Sequence, residues 1–329
     1  MRATVALVRA HPDTIAEDYT RLLDLAGCDG SAAGALLVDA AGRPEAGWGA
    51  TPWQFEQVLA RCAGAGGRPR VVGVGPRGLR PAPLARPWEE LREASGLPAA
   101  EAGFLRPHRP TSSTPHPALD AALASGVTLP VGLAGKESWI LTSPTLRPGW
   151  GLAGACRAAR DVVLAGARPR RGAPAAELTI EAVRLLREQC HTVGAVLDGT
   201  FWGVARGFAH RSRAVRNVLL AGRDPVAVDA VAARLAGLDP LRVPWLRLCR
   251  ERGCGRVGPD EIRVVGAVEL LDLDFDLPAD TFAAGRETPP PGLGGAWGRL
   301  VDRALGRGGI RGWSGTPWAD LVPGDAGRS

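Results

Sequence analysis

The stretch from Asn217 to Leu238, NVLLAGRDPVAVDAVAARLAGL, constrains the fold of this chain more than any other. Its apolar run Val218-Leu219-Leu220-Ala221 has the length and character of a buried strand. The turn Gly222-Arg223-Asp224-Pro225 follows, and the composition then predicts a helix from Val226 to Ala236, stopped by Gly237. Asp224 stands where an N-cap belongs, and Pro225 at the first helical position has no intrahelical N–H bond to lose. The apolar neighbours face two ways, so this unit belongs inside a larger α/β core.

Upstream, strands and helices alternate. Ala3 to Val8 reads as a strand, followed by a helix from Asp13 to Ala26. Ala35 to Val38 is a second strand, Thr51-Pro52 opens a helix that reaches Cys62, and Arg70 to Val74 is a third strand. Pro76 to Pro117 is a proline-rich excursion with one short helix near Trp88 to Ala94. Val127 to Val131 and Ser138 to Leu141 return to strand character; helices at 152–165 and 177–190 lead to a strand from Val193 to Leu197. A helix from Val243 to Arg252 and a strand from Glu261 to Val265 follow the central unit. This order predicts an α/β fold with a mainly parallel sheet and helices on both faces, in two segments, 1–130 and 131–277. From 278 to 329 a Pro/Gly-rich tail carries one amphipathic stripe, Trp297, Leu300, Val301, Ala304 and Leu305, expected to dock on the surface without completing the sheet.

The net charge is +6, but the base is almost all arginine, Lys136 being the only lysine. Arginine-rich composition of this kind follows from GC-rich coding, and no dense basic run carries interleaved aromatics, so no nucleic-acid partner is expected. MRATVALVRAHPD lacks the apolar core of a secretory signal, and no apolar run reaches the ~20 residues that span a bilayer, so neither membrane nor export is expected. Six scattered cysteines (Cys28, Cys62, Cys156, Cys190, Cys249, Cys254) point to reduced, buried thiols in a cytoplasm, and no metal set is expected.

In parallel sheets ligands bind beyond the C-terminal strand ends, where loops and helix N-termini converge. Four such ends are readable. Gly73-Val74-Gly75-Pro76-Arg77-Gly78 has the form G-x-G-x-x-G, but its prolines forbid an immediate helix, leaving a tight turn with Arg77 as a ligand contact. At the second end, Thr142-Ser143-Pro144-Thr145-Leu146-Arg147 leads to the glycines Gly149, Gly151 and Gly154 and a helix start. Strand, glycine loop and helix N-terminus in that order present N–H groups to an anion, with hydroxyls and Arg147 adding donors. A purely structural turn remains the other reading. The third end is Asp198-Gly199-Thr200, with Arg206 and His210 nearby; Asp198 suits a metal, a base or hydroxyl recognition, or caps a loop. The fourth is Asp224, a helix cap, with Asp229 one turn beyond it amid apolar residues and therefore paired or functional. No G-x-S-x-G elbow exists, and no Ser-His-Asp triad can be assembled from spacing.

The segment LLAGRDPVAVDAVAARLAGLDPLRVPWLRLCRERGCG resembles the C-terminal signature of the domain of unknown function 362 family, A-G-x-D-P-V-A-V-D-A followed by G-x-D-P. Val196-Leu197-Asp198-Gly199 and Pro144-Thr145-Leu146-Arg147 match its upstream strand ends, and VALVRA and Gly49-Ala50-Thr51-Pro52 fit as well. The resemblance spans roughly residues 3 to 266 and is specific around 217–255. It implies a two-lobed α/β protein of bacterial or archaeal type. Many members carry a ferredoxin-like cysteine run; this chain has none, so no iron–sulfur cofactor is carried over. Leu37-Val38-Asp39 stands where the family has Lys-Pro-Asn, and Arg147-Pro148-Gly149 where it has Lys-Thr-His. Arginine holds an anion but does not act as a proton-transfer base at neutral pH.

These readings converge on binding of a small anionic ligand, phosphorylated ligands included, between two lobes. If the chain is an enzyme, Asp198, Asp224 and Asp229 are its acid/base or metal candidates. Thr142, Ser143, Thr145, Arg147, Gly149, Gly151, Gly154, Thr200, Arg206, His210 and Arg77 are the binding candidates. The rival expectation is a non-catalytic binding or scaffold protein whose ancestral site has decayed. Reaction type, cofactor and oligomeric state are not encoded in any motif.

Overall fold

The computed structural model describes residues 2–28, 30, 33–39, 46–74, 93, 107–123, 126–147, 150–164, 173–206, 210–273, 316–318 and 321. It is a mixed α/β fold built on a nine-stranded, mostly parallel sheet. The strands are β1 (Ala3–Arg9), β2 (Ala33–Asp39), β3 (Arg70–Val74), β4 (Pro107–His108), β5 (Leu129–Pro130), β6 (Glu137–Thr142), β7 (Thr145–Arg147), β8 (Gly151–Ala153), β9 (Thr192–Arg206), β10 (His210–Gly222) and β11 (Ile262–Gly266). The helices are α1 (Ile15–Leu25), α2 (Pro52–Gly64), α3 (Pro117–Ala122), α4 (Ala155–Leu164), α5 (Ala175–Gln189), α6 (Pro225–Leu235) and α7 (Pro244–Glu251). Among the described residues no helix is long and apolar enough to cross a membrane.

The main path runs β11-β1-β10-β9-β6-β2-β3, with β7 alongside the far half of β9 and β8 paired to β7; β4 and β5 form a separate pair. Strands from 1–130 and from 131–277 are thus interleaved within one sheet, β1 lying between β11 and β10. Besides β8, which is antiparallel to β7, one strand on the main path breaks the parallel rule: β10 is antiparallel to both β9 and β1. The cause is the connection, since only residues 207–209 separate β9 from β10, and a parallel crossover needs a dozen residues or more. The apolar run 218–221 supplies only the last third of β10. Its first half, His210 to Arg216, carries no strand signal of its own and is held by its pairing with β9.

Alternate residues of each strand enter two different hydrophobic clusters. Val5, Leu7, Leu37, Ile140, Leu197 and Leu220 pack with α3 to α7, whereas Ala6, Val8, Leu36, Trp139, Val196 and Leu219 pack with α1 and α2. Local chemistry fixes the helix starts. Thr51 and Gln54 form a reciprocal capping box on α2, and Asp224 accepts from the N–H groups of Val226 and Ala227, the cap its position predicts. The predicted helix from 152 begins instead at Ala155, because Gly151–Ala153 pairs with β7 as a strand.

Of the short helix predicted near Trp88 to Ala94 only Glu93 is described, and it is helical; the amphipathic helix of the tail lies outside the described residues. One described point of the tail reaches the core. Trp318 is 1% exposed, belongs to the α1/α2 cluster, and stacks on Trp53 with ring centroids 5.0 Å apart. Its indole N–H donates to Asn217 Oδ1 at 3.1 Å. Asn217 sits at a β-bulge with φ +53°, a conformation that asparagine tolerates better than most residues, and its carbonyl accepts from the Ala10 N–H. Replacing Trp318 with Ala should therefore cost about 3–5 kcal/mol, read as a fall in the urea midpoint. A chain ending at Leu277 should show the same fall, and unchanged midpoints would return the tail to a purely superficial role.

Candidate functional site

Asp198 lies in the middle of β9 and is completely buried. Its Oδ2 accepts from Tyr19 Oη at 2.8 Å, Thr51 Oγ1 at 2.5 Å and Trp53 Nε1 at 2.6 Å. Its Oδ1 accepts from the Thr200 N–H at 2.9 Å and Thr200 Oγ1 at 2.6 Å. Burial raises its pKa above the usual carboxylate value, against the pull of these donors, and burial together with Asp198 pushes the Tyr19 phenol well up. All five donors belong to the chain. In this structure Asp198 ties α1 and the start of α2 to the sheet, and Thr200 serves as its partner.

The glycine loop of the second strand end meets an anion, and that anion is internal. Asp229, completely buried on α6, accepts from the Ala155 and Cys156 N–H groups at 2.8 and 2.9 Å, the first amides of α4. A Cβ on Gly154 would collide with Asp229 Oδ1, so the glycine makes room for this carboxylate. Gly151 has φ +68°, and any side chain there is strained. The helix dipole and the two N–H groups favour the charged form, but burial outweighs them and raises the Asp229 pKa to about 6. The predicted chemistry of an anion at a helix N-terminus is thus present, with Asp229 where a bound ligand was expected.

Asp224 is equally engaged. Besides capping α6, its Oδ2 accepts from the Arg256 N–H at 3.1 Å, and Oδ1 pairs with Arg187 Nη2 at 2.7 Å. The three aspartates do not meet in one pocket: Asp198 faces α1 and α2, Asp229 faces α4, and Asp224 faces Arg187.

A different group of side chains gathers where β2 and β6 end. These neighbouring strands continue in opposite directions, β2 through α2 to β3 and β6 through α4 and α5 to β9. Helix α2 packs in one cluster and α4 with α5 in the other, so this is a topological switch point, where open α/β sheets place their ligands. Asp39, the last residue of β2, accepts from Thr142 Oγ1 at 2.8 Å and from Arg157 Nη2. Arg157 Nη1 donates to Asp161 at 2.8 Å, and Arg160 pairs with the same carboxylate at 2.8 Å. Burial works against the Arg157 charge, but Asp39 and Asp161 outweigh it and hold the guanidinium firmly protonated. Gln54 closes the floor, its Nε2 donating to the carbonyls of Thr142 and Val196.

Two polar atoms here are buried and have no hydrogen-bond partner among the described residues, Ser143 Oγ and Arg157 Nε. At the rim, Arg147 is half-buried over the Trp48 ring at 5.6 Å, and Arg160 lies over Trp150 at 4.6 Å. Thr145 Oγ1 donates to the Gly47 carbonyl, which brings the Trp48 segment to β7. The structure therefore groups Thr142, Ser143, Thr145 and Arg147 of the sequence-derived set and adds Asp39, Gln54, Arg157, Asp161 and Arg160, with none of the three aspartates among their hydrogen-bond partners. Arg77 and Gly149 lie outside the described residues, as do the side chains of Arg206 and His210. The added residues had a local signal: Arg157 and Asp161 are charges four apart on an apolar helix face, and Asp39 ends an apolar strand.

Among the described residues no three His, Cys, Asp or Glu side chains gather as a metal site. No family model, curated protein or solved structure matches this chain.

Two measurements test these assignments. Asp198→Ala orphans five donors and should cost more than about 3 kcal/mol in urea unfolding, against about 1 kcal/mol for Tyr19→Phe. Equal small losses would free Asp198 from its structural role. Asp229 gives a pH signature: the folded chain keeps its proton to about pH 6, while the unfolded chain releases it near 4. Between those values the folded state binds more protons, so stability falls as pH rises, by up to roughly 3 kcal/mol. Asp229→Asn should flatten that part of the stability–pH curve.

Proposed function

We propose that this protein binds a small anionic ligand, phosphorylated ligands included, at the C-terminal ends of β2 and β6. The observation that carries this reading is the pair of buried donors at the switch point, Ser143 Oγ and Arg157 Nε, that have no hydrogen-bond partner among the described residues. Buried polar groups are nearly always satisfied, and an orphan costs about 1–3 kcal/mol, so both atoms suit an external acceptor. The charge balance agrees: Arg147, Arg157 and Arg160 outnumber Asp39 and Asp161. In this reading helices cover both faces of the sheet, and the ligand lies between the 1–130 and 131–277 lobes, contacting Asp39 and Trp48 from one and 142–147 and Arg157 from the other.

The resemblance to the domain of unknown function 362 family remains part of the proposal, and its D-P-V-A-V-D core has a structural meaning here: the first aspartate caps its own helix and the second caps α4. Six free, buried cysteines suit a reducing cytoplasm. A second reading, a scaffold with a decayed site, has one observation in its favour. Asp198, Asp224 and Asp229, all three candidate acid/base groups, are engaged by the chain's own donors.

Thermal unfolding in inorganic phosphate, pyrophosphate and citrate distinguishes the two readings, since a ligand specific for the folded state raises the midpoint. Ser143→Ala should leave the unliganded protein as stable or more so, and weaken the best of these ligands by about 0.5–1.5 kcal/mol. Arg147→Ala should weaken it too without changing the unliganded midpoint. A destabilised Ser143→Ala protein with unchanged binding would overturn the site, and no midpoint shift with any anion would favour the scaffold.

A further inference from the structure

Cys249 and Cys254 occupy the two key positions of the turn that ends α7, away from the β2/β6 crevice. Arg252 is the C-cap, and Gly253 follows in the left-handed region with φ +63°. The Gly253 N–H donates to the Arg250 carbonyl at 3.1 Å and the Cys254 N–H to the Cys249 carbonyl at 2.9 Å. This pair of bonds is a Schellman motif, in which the third-last helical residue and the second residue beyond the cap bring their side chains together. That contact is normally apolar. Here both positions are thiols, and the Cys254 Sγ also lies 3.4 Å from the Cys249 carbonyl. The hydrogen bonds of the turn bring the two residues together, and a disulfide between them needs a Cα separation of roughly 4.4–6.8 Å.

The two thiols differ in environment. Cys249 is fully buried, whereas Cys254 keeps 5% exposure. The Cys249 thiol, then the Arg187 and Arg184 guanidinium groups, pull the Cys254 pKa down against burial, while the same pairing and burial push Cys249 up. Arg187 also donates to the Cys254 carbonyl at 2.5 Å and pairs with Asp224, so the end of α7 is wired to the cap of α6.

We propose that Cys249 and Cys254 are a reversible redox pair, oxidised by a peroxide to a disulfide across the end of α7. The Cys254 thiolate attacks one peroxide oxygen, the O–O bond breaks, and the leaving oxygen takes up a proton and departs as water. Cys249 then attacks the resulting sulfenic sulfur, the S–O bond breaks, and a second water leaves. Two thiols have supplied two electrons and two protons; an external dithiol reverses the step by exchange.

The test is treatment of the folded, full-length protein with stoichiometric hydrogen peroxide, followed by acid quench, denaturation and thiol titration. Two of the six thiols should be lost, and peptide mapping should link Cys249 to Cys254 with loss of two hydrogens. Dithiothreitol should restore both thiols. Cys249→Ser should halt the reaction at a sulfenic acid on Cys254 that dimedone traps, and Cys254→Ser should abolish the thiol loss. A crosslink from either cysteine to Cys156, sulfinic acid on Cys254 in the wild type without a crosslink, or thiols inert until the chain is unfolded would each overturn the proposal.

Discussion

The carboxylate of Asp198 is the constraint on which one side of the structure depends. A buried charge is tolerated only when its lone pairs are filled, and Asp198 draws its donors from α1, the start of α2 and its own strand. Tyr19, Thr51 and Trp53 must all reach one oxygen, which fixes the angle and height of both helices against the sheet at once. Apolar packing by Leu22, Leu23, Phe55 and Leu59 adds energy but would accept small slides; the hydrogen bonds would not. Trp53, pinned at its nitrogen by Asp198, then offers its ring to Trp318.

The second hydrophobic cluster uses the same device with a different partner. Asp229 on α6 reaches the first amides of α4, so two helices far apart in sequence are joined end to side by one buried carboxylate. Helix α4 in turn presents Arg157 to Asp39 and Thr142 at the strand ends. Through α4, the second aspartate of D-P-V-A-V-D thereby bears on where Arg157 sits at the ends of β2 and β6.

Local features of the sequence were readable because their causes are local. Asp224-Pro225, Thr51-Pro52 and the apolar runs at 35–38 and 218–221 carry their own caps and periodicity. The helix-terminal anion was readable as chemistry, but its identity as Asp229 depends on a residue more than seventy positions away. Arg157 and Asp161 could be noticed as charges on an apolar helix, yet nothing near them names Asp39 as partner. The antiparallel centre was hidden for a related reason. The first half of β10, HRSRAVR, is polar and becomes a strand only because a three-residue connection folds it back on β9.

Placing β1 between β10 and β11 has a consequence for the order in which the chain acquires its shape. Val5 pairs with Gly222 on one side and Val264 on the other, partners that leave the ribosome more than two hundred residues later. Until then β1 has neither neighbour, and the apolar row Val5 to Val8 carries two bare edges. Helix α1, next in sequence, packs against β1 and gives it early shelter on one face. Pairing of β1 on both edges therefore waits for the last third of the chain and rests on long-range contacts, which form slowly.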